Sequence, residues 1–293
     1  MKQNYPFVKV IRLRSNLGYG AACNAGARDS LGEYLVFLNN DTVVEEGWLS
    51  ELLVPLADPA NGASCSRVTL PGSPKIIDSC GGIADIYGFA WNKGKGELDK
   101  GQHNTPEACF YAVGSSLAIR RDAFENAGGF DEAFFMYLED VDLSWRMRLL
   151  GYRVLFAPRS RVVHRSGITR MKTSDIQYLF NRNRLRMILK NYSFSTLVSI
   201  IPRYIVLQIG LVAWVMTRLR GDELHTILAA WLWNAKHLRE TIGLRRGTQA
   251  HRRMSDREVV RVMMKKPAGI LFLLGMIKNP VLEKRFNRTS VKL

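Results

Sequence analysis

The alternation of apolar and polar stretches predicts an α/β domain in the first half of the chain. Tyr34 to Leu38 is an unbroken apolar run, typical of a strand buried on both faces of a parallel sheet. Further strands are predicted from this pattern, at 8–13, 62–70, 110–120, 153–156 and 161–164. The polar triplet 39–41 begins where the run ends, and open α/β sheets bind ligands at such strand ends.

Two predicted helices of this half begin with residues that can carry chemistry. Asn16 begins a helix rich in Gly and Ala, whose small side chains permit close approach of a sheet or a ligand. A second helix opens at Glu139, with apolar residues four positions apart, and stops at Gly151. Residues 71–106, rich in Gly, Pro, Asp and Lys, are predicted as a hairpin or long surface loop that shapes a pocket.

Beyond about residue 170 the composition becomes Arg-rich and helical. We therefore predict an α/β domain at 1–170 and a basic amphipathic, membrane-associated helical region at 171–293. Residues 197–216 are mainly apolar and about long enough to span a bilayer of roughly 30 Å. Arg203 within them would cost about 2.5–3.5 kcal/mol inside a bilayer, which favours helices lying on the membrane over one spanning helix.

Composition and charge indicate which kinds of binding partner to expect. A hydrophobic content of 47% excludes general disorder. Residues 1–150 carry 14 Lys and Arg against 19 Asp and Glu, and residues 151–293 carry 28 against 7. Because the basic half has neither zinc-finger spacing nor an aromatic RNA-binding signature, an anionic membrane surface is the expected partner and nucleic acid is not.

The cysteines and the N-terminus bear on the compartment. Four cysteines are scattered without a Cys-x-x-Cys pair, which fits a reducing compartment. The first residues lack the apolar core and cleavage site of a signal peptide. We expect the cytoplasmic face of a membrane, with peripheral or single-span attachment.

Acidic residues supply the candidate chemistry. Asp41, on the loop after a buried strand, is suited to Mg²⁺ or Mn²⁺ because hard cations prefer oxygen ligands, although turn formation also explains 39–41. Glu139, Asp140 and Asp142 open a helix, where the helix dipole stabilises an exposed carboxylate by about 0.3–1 kcal/mol. That effect explains one acid better than three. Three carboxylates at one place are more readily tolerated where a cation or catalysis requires them.

Two other sets of residues have both a structural and a functional interpretation. His164 ends an apolar strand, and a histidine there is either a structural residue or a ligand. The small residues after Asn16 either pack a tight helix start on the sheet or form a wall of a phosphate-containing ligand's pocket.

Five segments, taken in order, resemble family 2 glycosyltransferases, and above all their rhamnosyltransferase-like branch. They lie at 16–26, 38–44, 128–132, 135–143 and 164–167. The resemblance covers about residues 6–190. It implies an α/β GT-A fold, Rossmann-like with a mixed sheet, and an inverting, metal-dependent transferase.

The resemblance also implies roles for individual residues. Asp41 and His164 match the metal site, Asp140 matches the catalytic base, and Glu139 lies beside it. The implied donor-binding residues are Asn16, Gly18, Asn24, Gly26, Asn39 and Asn40. The implied acceptor-side residues are Gly129, Phe130, Asp131 and Asp142.

The implied reaction moves a sugar, with rhamnose as the candidate, from a nucleotide-diphosphate donor to a lipid-linked or polysaccharide acceptor in cell-surface glycan synthesis. Family members usually begin with a strand, a helix and a second strand that hold the nucleotide. Here the segment 8–13 corresponds to the third strand, so an N-terminally truncated fold that binds sugar nucleotides poorly is expected. The alternative is a truncated, non-catalytic membrane-surface protein.

Overall fold

A computed structural model describes residues 5–165, 171–217 and 221–264. The strands are β1 Tyr34–Leu38, β2 Thr42–Val44, β3 Asn61–Leu70, β4 Ser73–Ser79, β5 Gly82–Ala84, β6 Ala90–Asn92, β7 Glu107–Ala108, β8 Ser116–Arg120 and β9 Arg153–His164. The helices are α1 Tyr19–Asp29, α2 Trp48–Leu53, α3 Arg121–Asn126, α4 Glu139–Leu149, α5 Thr173–Asn191, α6 Phe194–Thr217, α7 Gly221–Lys236, α8 Leu238–Ala250 and α9 Asp256–Val260. Short 3₁₀ turns follow α2 and precede α4, at Val54–Ala57 and Glu132–Phe134.

The main sheet is mixed, as expected. Its central order is β1-β8-β3-β9-β2, with β4 paired to β3 and β7 paired to β9. Only the β3–β9 pair is parallel among the described pairs of this sheet, and the others are antiparallel. The two strands predicted at 153–156 and 161–164 form one strand, β9, whose pairing with β3 shifts register between Ser66 and Arg67.

The first apolar strand exists, but its expected burial on both faces is wrong. β1 pairs antiparallel with β8, from Tyr34 opposite Arg120 to Leu38 opposite Ser116. Its inward residues are buried, whereas Val36 and Leu38 are 37% and 41% exposed. An alternating strand with one covered face is typical of antiparallel pairing, so a short apolar run did not distinguish the two cases.

The strand expected at 8–13 is also wrong. This segment has no regular secondary structure and makes no strand pairing among the described residues, and its apolar side chains are exposed. An apolar run becomes a strand only where a neighbour completes its backbone hydrogen bonds. The helix expected from Asn16 begins at Tyr19, because Gly18 adopts φ +89° and ends the preceding loop.

Helix α4 lies between two apolar cores. Leu143 and Met147 pack into the core under the main sheet. Val141, Trp145 and Leu149 pack into a second core with α5, α6 and α9. The helix is therefore buried around its whole circumference, which fixes the carboxylates at its first turn relative to the sheet.

The described part of the second half, residues 171–217 and 221–264, is mainly helical as expected, and its helix α5 packs directly on α4. Helix α5 contacts α4, α7 and α8, so the division at residue 170 stays a prediction. Several basic residues of α5 are buried and paired instead of exposed: Arg182, Arg184, Arg186 and Lys190. This charge is therefore not available to a membrane surface.

The apolar segment predicted at 197–216 forms most of α6. Among the described helices, α6 is the one long and apolar enough to cross a membrane, by length and composition. It contains Pro202, and a substantial part of its apolar surface is uncovered.

Candidate active site

Residues at the ends of β1 and β9 meet across the short β2 pairing. Thr42 of β2 lies opposite His164 of β9, and this register brings the loop after β1 to the imidazole. His164 Nε2 lies 3.2 Å from Asp41 Oδ1 and 3.5 Å from Asn39 Nδ2. Three residues predicted from the sequence are thus brought together.

Asp78 of β4 completes this group from the other side of the imidazole. Its Oδ2 lies 3.4 Å from His164 Nδ1, and its Oδ1 lies 3.5 Å from Lys95 Nζ. Burial raises the pKa of Asp78, but the hydrogen bond from His164 and the charge of Lys95 outweigh it, so the net pKa is lowered. Asp78 therefore faces the histidine as a carboxylate.

The carboxylates of Asp78 and Asp41 also change the pKa of His164. Burial lowers its pKa, but the hydrogen bonds and charges of Asp78 and Asp41 outweigh burial, so the net pKa is raised. With Nδ1 directed to Asp78, the Nε2 atom faces Asp41. A carboxylate behind a histidine is the usual arrangement for a ligand histidine.

The donor set fits a divalent cation that shares its coordination with a substrate. Within residues 5–165, 171–217 and 221–264, no three His, Cys, Asp or Glu side chains are grouped so as to hold a metal alone. Asp41 supplies oxygen and His164 supplies nitrogen, and both are largely buried. A site with one or two carboxylates plus substrate phosphates is typical of Mg²⁺, so these two residues fit such an ion.

Asp140 lies in the first turn of α4 and is half-buried. Its Oδ2 accepts a hydrogen bond from the Gly114 amide at 2.8 Å, and its Oδ1 accepts one from the Val141 amide at 2.8 Å. Burial raises the pKa of Asp140 to about 6, against the lowering effect of these backbone hydrogen bonds. A carboxylate with a pKa near neutrality is suited to general-base chemistry.

Glu139 precedes it and is more deeply buried. Its Oε2 atom has no hydrogen-bond partner in the described structure. Burial raises the pKa of Glu139 to about 8, and the charges of Asp140 and Asp142 add to the effect. Glu139 is therefore largely protonated near neutral pH, and of the two predicted catalytic residues Asp140 is the better base.

The segment Gly114–Ser115 joins the two sides of the site. The carbonyl of Ser115 accepts a hydrogen bond from the Asn39 amide at 3.1 Å, next to the Asp41 side. The amide of Gly114 contacts Asp140, and its carbonyl accepts a hydrogen bond from the Tyr19 hydroxyl at 2.8 Å. One short backbone segment thus fixes the spacing between the candidate metal ligands and the candidate base.

The residues predicted for donor binding on α1 and in the loop before it have mainly structural contacts. Asn16 Oδ1 accepts a hydrogen bond from the Gly18 amide, and the Tyr19 amide donates to the Phe135 carbonyl at 2.7 Å. Asn24 is buried: its Nδ2 donates to the Phe130 carbonyl, and its Oδ1 accepts a hydrogen bond from the Phe130 amide. A donor-binding role for these residues stays a prediction.

Three further predicted residues differ in their surroundings. Gly26 is exposed on α1, and no atom lies within 4 Å of the position that a Cβ would take. Asn40 is exposed beside Asp41. Gly129 has φ +66°, and a Cβ there would meet Asn24 Oδ1 at 2.9 Å, so this glycine permits a close approach.

The predicted acceptor-side residues lie largely in the interior. Phe130 packs in the core under the sheet. Asp131 bonds Arg186 and Lys190, and Asp142 bonds Arg146 and Lys190. Both carboxylates are thus paired with buried cations, and Oδ1 of Asp142 also accepts a hydrogen bond from the Asn191 amide. Contact with an acceptor stays a prediction for all four residues.

The sequence pattern does not indicate four residues that form this site or contact the backbone around it: Asp78, Gly114, Tyr19 and Asn183. Asp78 lies within the segment 71–106, which was predicted to shape a pocket and does form strands β4 to β6. That prediction was the only sequence signal near Asp78. The other three make their contacts through backbone groups or at long sequence separation.

The fold is that of the GT-A glycosyltransferases. A solved structure of GalNAc-T7 with UDP, GalNAc and Mn²⁺ superposes with a TM-score of 0.51 and 22% identity, over 64% of this chain and 37% of that one. Residues 1–128 of this chain match the family model described as "Glycosyl transferase family 2". The resemblance inferred from the sequence is confirmed.

Two curated relatives cover about half of the chain. The O-antigen biosynthesis protein RfbC of Myxococcus xanthus is 31% identical over 52% of this chain and 12% of its own length. The N-acetylglucosaminyl-diphospho-decaprenol L-rhamnosyltransferase of Mycobacterium tuberculosis is 30% identical over 55% of this chain and 60% of its own length. The chain thus spans less than two thirds of either relative.

Proposed function

We propose that this protein is an inverting glycosyltransferase that moves a sugar, with rhamnose as the first candidate, from a nucleotide-diphosphate donor to a lipid-linked or polysaccharide acceptor. The observation that carries the proposal is the Gly114–Ser115 segment, which contacts Asn39 on the cation side and Asp140 on the base side. The name of the rhamnosyltransferase relative gives rhamnose as its sugar and a diphospho-decaprenol-linked acceptor. The nucleotide-diphosphate donor is what the family resemblance implies.

In this proposal Asp140 removes the proton from the acceptor hydroxyl. The acceptor oxygen attacks the anomeric carbon, the bond from that carbon to the diphosphate breaks, and the proton moves to an Asp140 carboxylate oxygen. The hydrogen bonds from Gly114 and Val141 orient that carboxylate. One displacement inverts the configuration at the anomeric carbon.

Asp41 and His164 would hold Mg²⁺ or Mn²⁺. When bound, the cation supplies neutralisation of the charge on the departing diphosphate. Asp78 orients the imidazole from behind, and Asn39 contributes an amide beside it. Lys95, next to Asp78, adds positive charge to the same wall of the site.

We further propose attachment to the cytoplasmic face of a membrane through α6. Val206 and Ile209 of this helix are 69% and 56% exposed, and apolar surface of this kind favours an interface with lipid. All four cysteines are free, which supports a reducing compartment. Cosedimentation with vesicles that contain anionic lipid tests the attachment. The double variant Val206→Asp, Ile209→Asp is expected to cosediment less than the wild type. A carbonate wash of the membranes distinguishes peripheral from spanning attachment.

The transfer assay uses the full chain, a panel of nucleotide sugars that includes dTDP-rhamnose, Mn²⁺ and a polyprenyl-diphosphate-linked acceptor. Asp140→Asn is expected to abolish transfer while donor binding persists, because the base acts on the acceptor hydroxyl. Asp122→Asn, which alters an exposed carboxylate of α3, is the matched control. Unchanged turnover in Asp140→Asn would remove Asp140 from the mechanism, and no transfer with any donor would favour a non-catalytic membrane-surface protein.

A further inference from the structure

The loop that leads into α4 has an unfavourable backbone conformation. Phe135, Tyr137 and Leu138 have φ values of 62°, 70° and 66°, in the region that side chains other than glycine rarely adopt. Residues in this conformation are strained, and the conformation persists only where the surroundings impose it. Leu138 caps α4, so this loop sets where Glu139 and Asp140 begin the helix.

Asn183 of α5 supplies the surrounding support. Its side chain is fully buried, and Nδ2 lies 3.0, 2.9 and 2.8 Å from the carbonyl oxygens of Phe134, Met136 and Tyr137. The two hydrogens of this amide are thus shared among three carbonyl oxygens, one in the turn before the loop and two in the loop itself.

Arg182 extends this support to the preceding turn. Its Nη2 donates to the carbonyls of Ala133 and Phe134 at 2.7 and 2.6 Å. The guanidinium also lies 4.6 Å from the ring centroid of Trp233 on α7. The contacts from α5 are therefore anchored in the helical half of the chain and directed at backbone oxygens, which accept them whatever side chains the loop carries.

We propose that Asn183 is a positioning residue for sugar transfer. Its amide holds the loop 135–138 so that α4 begins with the Asp140 carboxylate against the Gly114 amide. The inference rests on the proposed role of Asp140 as the base. A displacement of about 1 Å at a reacting group can lower the rate on the order of 10²-fold, so loss of this support acts on turnover and not on donor affinity.

The test compares Asn183→Ala with Asn234→Ala. Asn234 of α7 is also buried, and its amide donates to the carbonyls of Arg182 and Ala230, so it has no bond to the loop. Asn183→Ala is expected to lower kcat on the order of 10²-fold with an unchanged donor KM, whereas Asn234→Ala keeps the kcat of the wild type.

Hydrogen exchange gives a readout that does not depend on activity. Asn183→Ala is expected to speed exchange in peptides covering 136–142, with other peptides unchanged, and Asn234→Ala is not. If Asn183→Ala does not fold, Asn183→Ser, which keeps one donor, is expected to show intermediate exchange in the same peptides.

Unchanged exchange at 136–142, or an unchanged kcat with transfer active in the wild type, would overturn the role of Asn183. Absence of transfer by the wild type would overturn the proposed function instead, and the exchange measurement would still report whether Asn183 holds the loop. The two failures are therefore distinguishable.

Discussion

Gly114 donates its backbone amide to Oδ2 of Asp140 at 2.8 Å, while its carbonyl accepts the Tyr19 hydroxyl. A side chain at this position would lie 3.3 Å from the same carboxylate oxygen. The Asp140 carboxylate is therefore oriented by backbone that approaches it closely, and burial rather than a neighbouring cation sets its protonation. This relationship has a consequence for the pH dependence of transfer.

We predict that kcat/KM for transfer falls as the pH drops below about 6. Burial raises the pKa of Asp140 to about 6, and a protonated carboxyl cannot accept the proton of the acceptor hydroxyl. The rate should thus rise through that pH and level off above it. Donor binding, measured separately by calorimetry at each pH, serves as the control. A rate that stays constant well below pH 6 would contradict the assignment of Asp140 as base.

We predict that Glu139→Gln stabilises the protein at alkaline pH. Burial raises the pKa of Glu139 from its usual 4.5 to about 8, so the folded state disfavours the carboxylate. Stability present below pH 4.5 is lost progressively as the pH rises to about 8. Glutamine carries no charge, and the gain in unfolding free energy should grow over that interval to on the order of a few kcal/mol.

Thermal unfolding followed across this pH range measures the gain. Glu125→Gln is the control, because Glu125 lies on α3 with its carboxylate 62% exposed to solvent. Its replacement should leave stability nearly unchanged throughout. Equal pH profiles for the wild type and Glu139→Gln would show that Glu139 is not buried as a neutral acid.

Two glycines near α1 give a matched pair of substitutions. At Gly18 a Cβ would lie 2.1 Å from the Phe135 carbonyl oxygen, and φ is +89°, so Gly18→Ala should destabilise the fold by about 1–3 kcal/mol or more. At Gly26 nothing lies within 4 Å, and Gly26→Ala in the exposed helix should stabilise it by about 0.4–1 kcal/mol. Urea unfolding measures both. Equal effects would contradict the close packing of Gly18 on the loop before α4.

The meeting of Asp41 and His164 could be predicted from the sequence because both follow apolar runs, whereas the role of His164 as a metal ligand came from the family resemblance and stays a prediction. Strand ends meet at one edge of a sheet. Asp78 could not be predicted in the same way. It lies 86 residues from His164 in the chain, and a contact at that separation leaves no periodic signal.

The position of helix α4 could also be predicted only in part from the sequence. The spacing of Val141, Trp145 and Leu149 predicted one apolar face, and these residues do pack against the helical half. The opposite face packs under the sheet, through Leu143 and Met147. A helix buried all round has no clear amphipathic period, so its position between two cores could be learned only from the structure.

The charge balance of the second half led to an anionic membrane surface as the expected partner, yet basic residues of α5 are buried and paired. Their partners lie far earlier in the chain. Lys190 Nζ lies 2.6 Å from Asp131 Oδ2 and 2.8 Å from Asp142 Oδ2, at separations of 59 and 48 residues. Local sequence reasoning could not foresee this pairing, which joins the helical half to the first turn of α4.

We predict that Lys190→Met destabilises the protein by about 3–5 kcal/mol, because it leaves two buried carboxylates without their shared cation. Asp131 would keep Arg186, and Asp142 would keep Arg146, but the two acids would then repel one another across the space of the ammonium. Methionine matches the length of lysine, so lost packing contributes little. Denaturant unfolding measures the change.

Lys9→Met is the control for this substitution. Lys9 pairs with Asp29 at the surface, with side chains 72% and 36% exposed, and such a pair contributes about 0–1 kcal/mol.

Burial raises the pKa of Asp131, but the charges of Lys190 and Arg186 outweigh burial and leave it well below its usual 3.8. Stability from this group is therefore lost only as the pH falls below that value, and Lys190→Met should weaken this acid dependence. An effect as small as that of Lys9→Met would show that Lys190 does not hold the two acids together.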